Sequence, residues 1–190
     1  MTKLSLGRAS LAAHTFAARR LSKLRGFTMI ELVVVISILA ILSGVIVPRV
    51  QDHLKSSRDA ERLASIKAIR VAIDQYALDR GSYPRAESNP DCGGWDVSHD
   101  GGFVSELREA GYLSDDLVDP INDATFHFRY FLYEKGAYGC TGESPYYVLG
   151  VRNFESFEFA NQHRGFFRCP GRNWGNEFAF VAGGGASFGE

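Results

Sequence analysis

The stretch Arg25-Gly26-Phe27-Thr28-Met29-Ile30-Glu31, with the apolar run behind it to Val47, decides the architecture of this chain. A basic residue and a glycine stand directly before the 21 residues Phe27 to Val47. Those residues are rich in Val, Ile and Leu, interrupted only by Thr28, Glu31, Ser37, Ser43 and Gly44. As a helix the run is roughly 32 Å long, enough to cross a bilayer core of about 30 Å. Glu31 is the odd residue. An acid deep in lipid costs about 2.5–3.5 kcal/mol, so a spanning helix keeps one only near an interface or with a partner. In the first turn the helix dipole favours an anion, and a new α-amine at Phe27 would supply a cation at the same depth. In one molecule that amine sits beside its own Glu31, and in an assembly it could pair with a neighbour's. The run therefore reads as a membrane helix whose acid is satisfied by packing against copies of itself.

Gly26-Phe27-Thr28-Met29-Ile30-Glu31-Leu32, followed by the apolar helix and then Pro48, resembles the amino-terminal signal of type IV pilins and type II secretion pseudopilins. The resemblance covers about the first third of the chain, and its strength lies in the fixed spacing of four features that are common singly. It implies that a prepilin peptidase cuts after Gly26 and N-methylates Phe27. It implies that Glu31 pairs with a neighbouring subunit's amine during assembly, and that Pro48 kinks the helix. It also implies an inner-membrane assembly platform with its ATPase as partners.

Residues 1–26 hold six basic side chains and no acid, so the rest of the chain carries 15 basic and 22 acidic residues, a net charge of −7. The near-neutral total hides a basic leader and an acidic body. By the positive-inside rule the amino terminus is cytoplasmic and the body exported. An acidic body disfavours nucleic acid as a partner.

Beyond Pro48, Arg49 to Asp79 contains no Gly or Pro. Leu63, Ile66, Ile69, Ile73 and Tyr76 recur at helical spacing on one face. Gln51 to Glu61 is more polar, with Asp52, Lys55, Arg58, Asp59 and Glu61 round it, and is expected to face a partner or solvent. Gly81 and Pro84 stop the helix. Gly81 to Gly102 reads as loop, and Phe103 to Ala110 as a short helix with Phe103, Leu107 and Ala110 inward. Strands are expected over Phe126–Tyr133, Tyr146–Val151 and Glu177–Val181, with Arg152–Asn176 irregular and Gly183-Gly184-Gly185 a mobile tail. Tyr83-Pro84, Gly111-Tyr112-Leu113 and the Asp119-Pro120 turn also resemble secretion-type pseudopilins, although the Asp-Pro-Trp-Gly form of that turn is absent.

The chain has three cysteines, Cys92, Cys140 and Cys169, and no C-x-x-C. An exported domain then has one disulfide and one remaining thiol. The resemblance points to Cys140–Cys169, because pilins close a loop in the distal region, and Cys92–Cys140 stands as the alternative. Asp91, Asp96 and Asp100 crowd one loop, and Asp115, Asp116, Asp119 and Asp123 another. Calcium prefers such clustered oxygens, and major secretion pseudopilins bind calcium in a distal loop, so calcium is a candidate cofactor. The spacing is not that of an EF-hand and singles out no ligand set. The five histidines are scattered, and no nucleophile or phosphate-loop motif occurs, so catalysis has no support.

The expected fold is α+β and pilin-like, a long helical spine packed on a small antiparallel sheet. The expected domains are a leader (1–26), a transmembrane and assembly half of the spine (27–47), an amphipathic half (48–80) and a globular region (81–190). The resemblance implies a subunit that polymerises with itself, first a single-pass inner-membrane precursor and then a periplasmic or cell-surface filament. The alternative is a minor pilin acting as a binding module in adhesion or DNA uptake.

Overall fold

The computed structural model describes residues 26–114 and 117–185. With no Gly or Pro between residues 49 and 80, the helix that begins at Met29 continues across Pro48 to Arg80 (α1, Met29–Arg80). Gly81, at φ 74°, ends it in the left-handed conformation that glycine adopts without penalty, and its N–H donates to the Ala77 carbonyl at 2.9 Å.

Two compact units divide the chain, one ending at Ser43 and the other beginning at Gly44. In the first, the apolar side chains of α1, among them Ile30, Leu32, Val35 and Leu39, are exposed. This is the one helix among the described residues long and apolar enough to cross a membrane.

In the second unit α1 buries Leu63, Ile66, Ile69, Ala72, Ile73 and Tyr76 against an antiparallel sheet ordered β1-β2-β3-β6. Its strands are β1 (Asp96–Val97), β2 (Phe128–Tyr133), β3 (Tyr146–Val151) and β6 (Phe180–Gly184). Register pairs Tyr130 with Leu149, and Leu149 with Ala182. Phe128, Tyr130, Tyr147, Leu149 and Val151 face α1 and complete the first core. Each large aliphatic side chain buried there contributes about 1.5–3 kcal/mol.

A second core covers the opposite sheet face. Val97, Tyr133, Tyr146, Val148 and Val181 meet Trp95, Phe167, Trp174 and Phe178 there. All six residues of β3 are consequently buried, which explains its unbroken apolar run. Two of the covering side chains, Phe167 and Trp174, come from the segment expected to be irregular, which is instead structured. It contains α3 (Phe157–Gln162) and a small hairpin of β4 (Arg168–Cys169) with β5 (Arg172–Asn173).

Four sequence expectations are corrected. The short helix is α2 (Ser105–Glu109), starting later than Phe103 because Val104 sits at φ 42° with its N–H donated to Asp96. Strand β2 starts at Phe128, because the Asp123 carboxylate accepts from the Thr125 and Phe126 N–H groups and makes a turn there. The last strand begins at Phe180 and runs into Gly183 and Gly184, which pair with Val148 and Tyr147 and are not a tail. Finally, Asp59 in the polar half of α1 is buried along with Arg62, facing neither solvent nor a partner.

That burial is explained by an ion cluster. Arg62 donates Nε and Nη2 to Asp119 at 2.7 and 3.0 Å, and Nη1 to Asp59 at 2.6 Å and to Glu155 at 2.8 Å. Arg58 grips Glu155 through Nε and Nη2, which holds the Glu155 carboxyl down at about 2. Asp59 in turn accepts from the Glu155 and Ser156 N–H groups. Two distant loops are thereby fastened to one turn of the spine.

Candidate functional site: the amino-terminal assembly segment

Gly26, Phe27 and Thr28 are non-helical, and α1 begins at Met29. Thr28 acts as its N-cap. The Thr28 carbonyl accepts from Leu32 N–H at 3.2 Å, and Oγ1 accepts from Glu31 N–H at 3.3 Å. Glu31 Oε2 reaches back to accept from the Thr28 N–H and from Thr28 Oγ1, both at 2.8 Å. This reciprocal pairing is a capping box, and it places the anion where the helix dipole favours it. The Thr-x-x-Glu spacing of Thr28 and Glu31 is the sequence signature of that box, a signal the sequence reading passed over. Glu31 is therefore hydrogen-bonded within its own chain, while the Phe27 ring beside it is exposed. Residues 1–25, including the basic leader residues, lie outside the described residues.

Pro48 lies inside α1. Cys140 and Cys169 are joined in a disulfide, with Cα atoms 4.8 Å apart, and Cys92 is a free, half-buried thiol. The disulfide ties the turn after β2 to the β4–β5 hairpin at the edge of the second core.

The acids raised as calcium candidates do not converge. Asp91 is exposed in a 3-10 turn, and Asp100 accepts from Asn89 Nδ2 at 2.6 Å. Asp96 is buried and accepts from the Glu87 and Val104 N–H groups, and its burial pushes the carboxyl up to about 7. Asp119 is committed to Arg62, and Asp123 to backbone amides that hold it below the usual carboxylate range. Asp115 and Asp116 lie outside the described residues. Among the described residues, no group of three or more His, Cys, Asp or Glu is placed to hold a metal ion.

His127 is structural in its surroundings. Nδ1 bonds the Asp123 carbonyl at 3.0 Å and Nε2 accepts from Arg129 Nε at 2.8 Å, an arrangement that requires a neutral ring. Burial, with Arg129 close by, pushes its pKa down to about 4.

Comparison with known proteins agrees with this geometry. The family model for the prokaryotic N-terminal methylation motif matches residues 21–47. Type II secretion system core protein G of Pseudomonas aeruginosa is 30% identical over 137 residues, covering 66% of this chain and 82% of that protein. The protein of the same description from Klebsiella michiganensis is 41% identical over 64 residues, 33% of this chain and 44% of its own. Prepilin peptidase-dependent protein D of Escherichia coli is 41% identical over 61 residues, 32% of this chain and 42% of its own. Against these last two, the chain matches less than half of the relative's length. No solved structure matches. With the methylation motif at the start of an apolar helix, and one relative aligned over most of its length, this chain belongs to the type IV pilin and type II secretion pseudopilin family.

Proposed function

We propose that the chain is a structural subunit of a type II secretion pseudopilus, assembled through α1, and not an enzyme. The observation that carries this reading is the position of Gly26, Phe27 and Glu31 at the head of an exposed apolar helix, in a chain aligned with 82% of a core protein G.

In this reading residues 1–26 are a cytoplasmic leader, 27–47 the membrane and assembly half of the spine, 48–80 its amphipathic half and 81–190 the body. The precursor sits in the inner membrane with its amino terminus in the cytoplasm. Prepilin peptidase cuts after Gly26 and methylates the Phe27 amine. Glu31, first satisfied by Thr28, exchanges that partner for the amine of a neighbouring copy. The exchange keeps the acid neutralised at every stage, which the cost of an isolated charge in lipid requires. The apolar face of 27–47 leaves lipid for the same face of other copies, driven by an assembly platform and its ATPase, and Pro48 lies at the junction of the two halves.

The test is the intact mass of the amino-terminal peptide from membranes, with and without prepilin peptidase. A start at Phe27 carrying one added methyl supports the reading, and an unprocessed Met1 or a cut beyond Val47 refutes it. Glu31→Ala should still be cleaved but should form no filaments.

A further inference from the structure

An open pocket of about 460 Å³ lies where α1 ends against the sheet, with Ala77, Leu78, Tyr83, Leu132 and Pro145 in its walls. Its volume is that of a small recognition pocket. Most of the lining is apolar and gains by losing water, Leu78 above all, which is 80% exposed among the described residues. Asp74 and Ser82 also line it. The Asp74 carboxylate already accepts from the Tyr147 hydroxyl at 2.8 Å and has Arg70 Nε at 3.9 Å, so the charge in the wall does not call for a cationic occupant. The pocket asks for one apolar side chain.

The chain itself leaves the sheet at this pocket. Strand β6 runs antiparallel to β3 with Gly184 opposite Tyr147, so each further residue moves back along the neighbouring strand toward Pro145 and Ser144. Gly185, at φ 91°, is pressed against two wall residues. A methyl group on it would lie 2.8 Å from the Tyr83 ring and 2.7 Å from the Pro145 carbonyl oxygen. Residues 186–190 continue from that point, and Phe188 is their one large apolar residue. Three residues reach at most about 10 Å, so Phe188 starts within one side chain's length of the pocket.

We propose that residues 186–190 turn back over the end of α1 and seat Phe188 in the pocket of their own chain. The occupant is this segment because its tether begins at the pocket wall. A group held by so short a linker has an effective concentration on the order of millimolar, which a free partner must exceed or outbind. The seated phenylalanine covers Leu78 and joins the last strand to the end of the spine. It also closes the pocket to neighbouring copies and to other proteins. The inference stands independently of the filament reading above.

The test is photo-crosslinking of the full, detergent-solubilised chain with p-benzoylphenylalanine in place of Phe188. Irradiation should link that position to residues 77–83, Leu132, Ser144 or Pro145 of the same chain, read by peptide mass spectrometry of the monomer band. Ala77→Phe, which fills the pocket from its own wall, should cut this link at least tenfold. In the chain without the crosslinker, Phe188→Ser should lower the melting temperature by roughly 3 °C or more, whereas Ser187→Ala should leave it unchanged. Links that fall outside the pocket, links that run mainly between copies, or an unchanged melting temperature for Phe188→Ser each overturn the proposal. None of these results bears on Phe27 processing, so the filament reading is tested separately.

Discussion

Arg62 and Asp119, 57 residues apart in sequence, form a two-bonded ion pair with both side chains fully buried. The guanidinium is shared with Asp59 and Glu155 and lies over the Phe126 ring at 4.9 Å. The charges are out of water, so their attraction is little screened, and each depends on the others being present.

Arg62→Ala should therefore destabilise the protein by about 3–5 kcal/mol, because it strands buried carboxylates. Arg58→Ala should cost less, since the Arg58 side chain is 36% exposed and its pairing is screened. Urea unfolding of the detergent-solubilised chain, followed by the fluorescence of buried Trp95 and Trp174, measures both. Equal losses for the two variants would contradict the account.

Two buried groups should give opposite pH dependences. His127 is held at about 4 in the fold against 6.5 free, so the fold binds the neutral ring. Its contribution is fully present above pH 6.5 and lost as the pH falls through 4, a span of about 3 kcal/mol. Asp96 is raised to about 7 from 3.8, so its neutral form is the one favoured. Its contribution is fully present below pH 3.8 and lost as the pH rises through 7. Between pH 4 and 6.5 the two slopes oppose each other. Asp96→Asn should raise stability at pH 8 and leave a rise in stability from pH 4 to 6.5, whereas His127→Gln should leave a fall in stability across the same range. Thermal melts across pH 4–8 distinguish the three proteins, and parallel profiles would sink the assignment.

The amino-terminal methylation motif, matched at residues 21–47, and the helix behind it were readable from the sequence because every signal in them is local. Gly26, Phe27 and Glu31 lie within six residues, and the stripe of Ile66, Ile69 and Ile73 repeats at one helix period. Strand β3 was legible for the same reason, as an apolar run bounded by Pro145 and Arg152. The ion cluster was not legible. Asp59 read as part of a face for a partner or solvent and Arg62 carried no signal, since their partners come from loops 57 to 97 residues away. The second core was hidden differently. Trp95, Phe167, Trp174 and Phe178 come from turns and short hairpins with no period to read, and only the fold gathers them on one sheet face. The pairing of Glu31 with Thr28 lay in plain view in the Thr-x-x-Glu spacing.

The Cys140–Cys169 disulfide closes a span of 29 residues that contains β3 and α3. Its main effect is to restrict the unfolded chain, so Cys140→Ser with Cys169→Ser should lower stability by about 2–4 kcal/mol. The native body should persist at neutral pH, because the first core and the ion cluster contain neither cysteine. Loss of the melting transition in the double variant would show that the bond is needed for folding itself.

Gly183 lies in β6 opposite Val148, and a Cβ there would run into the Phe167 ring and the Tyr147 carbonyl. Neither neighbour yields easily. Phe167 is fully buried against Tyr146 and Trp174, and the Tyr147 carbonyl belongs to the central strand. Gly183→Ala should thus cost about 1–3 kcal/mol through overpacking, even though alanine suits a strand no worse than glycine. Shrinking the obstacle should relieve part of this. Phe167→Leu alone leaves a cavity in the second core, but combined with Gly183→Ala the new methyl group occupies part of that space. The double variant should accordingly be more stable than the two single losses added together, by at least 0.5 kcal/mol in a double-mutant cycle. Strict additivity would mean that the Tyr147 carbonyl, and not the Phe167 ring, sets the need for glycine at position 183.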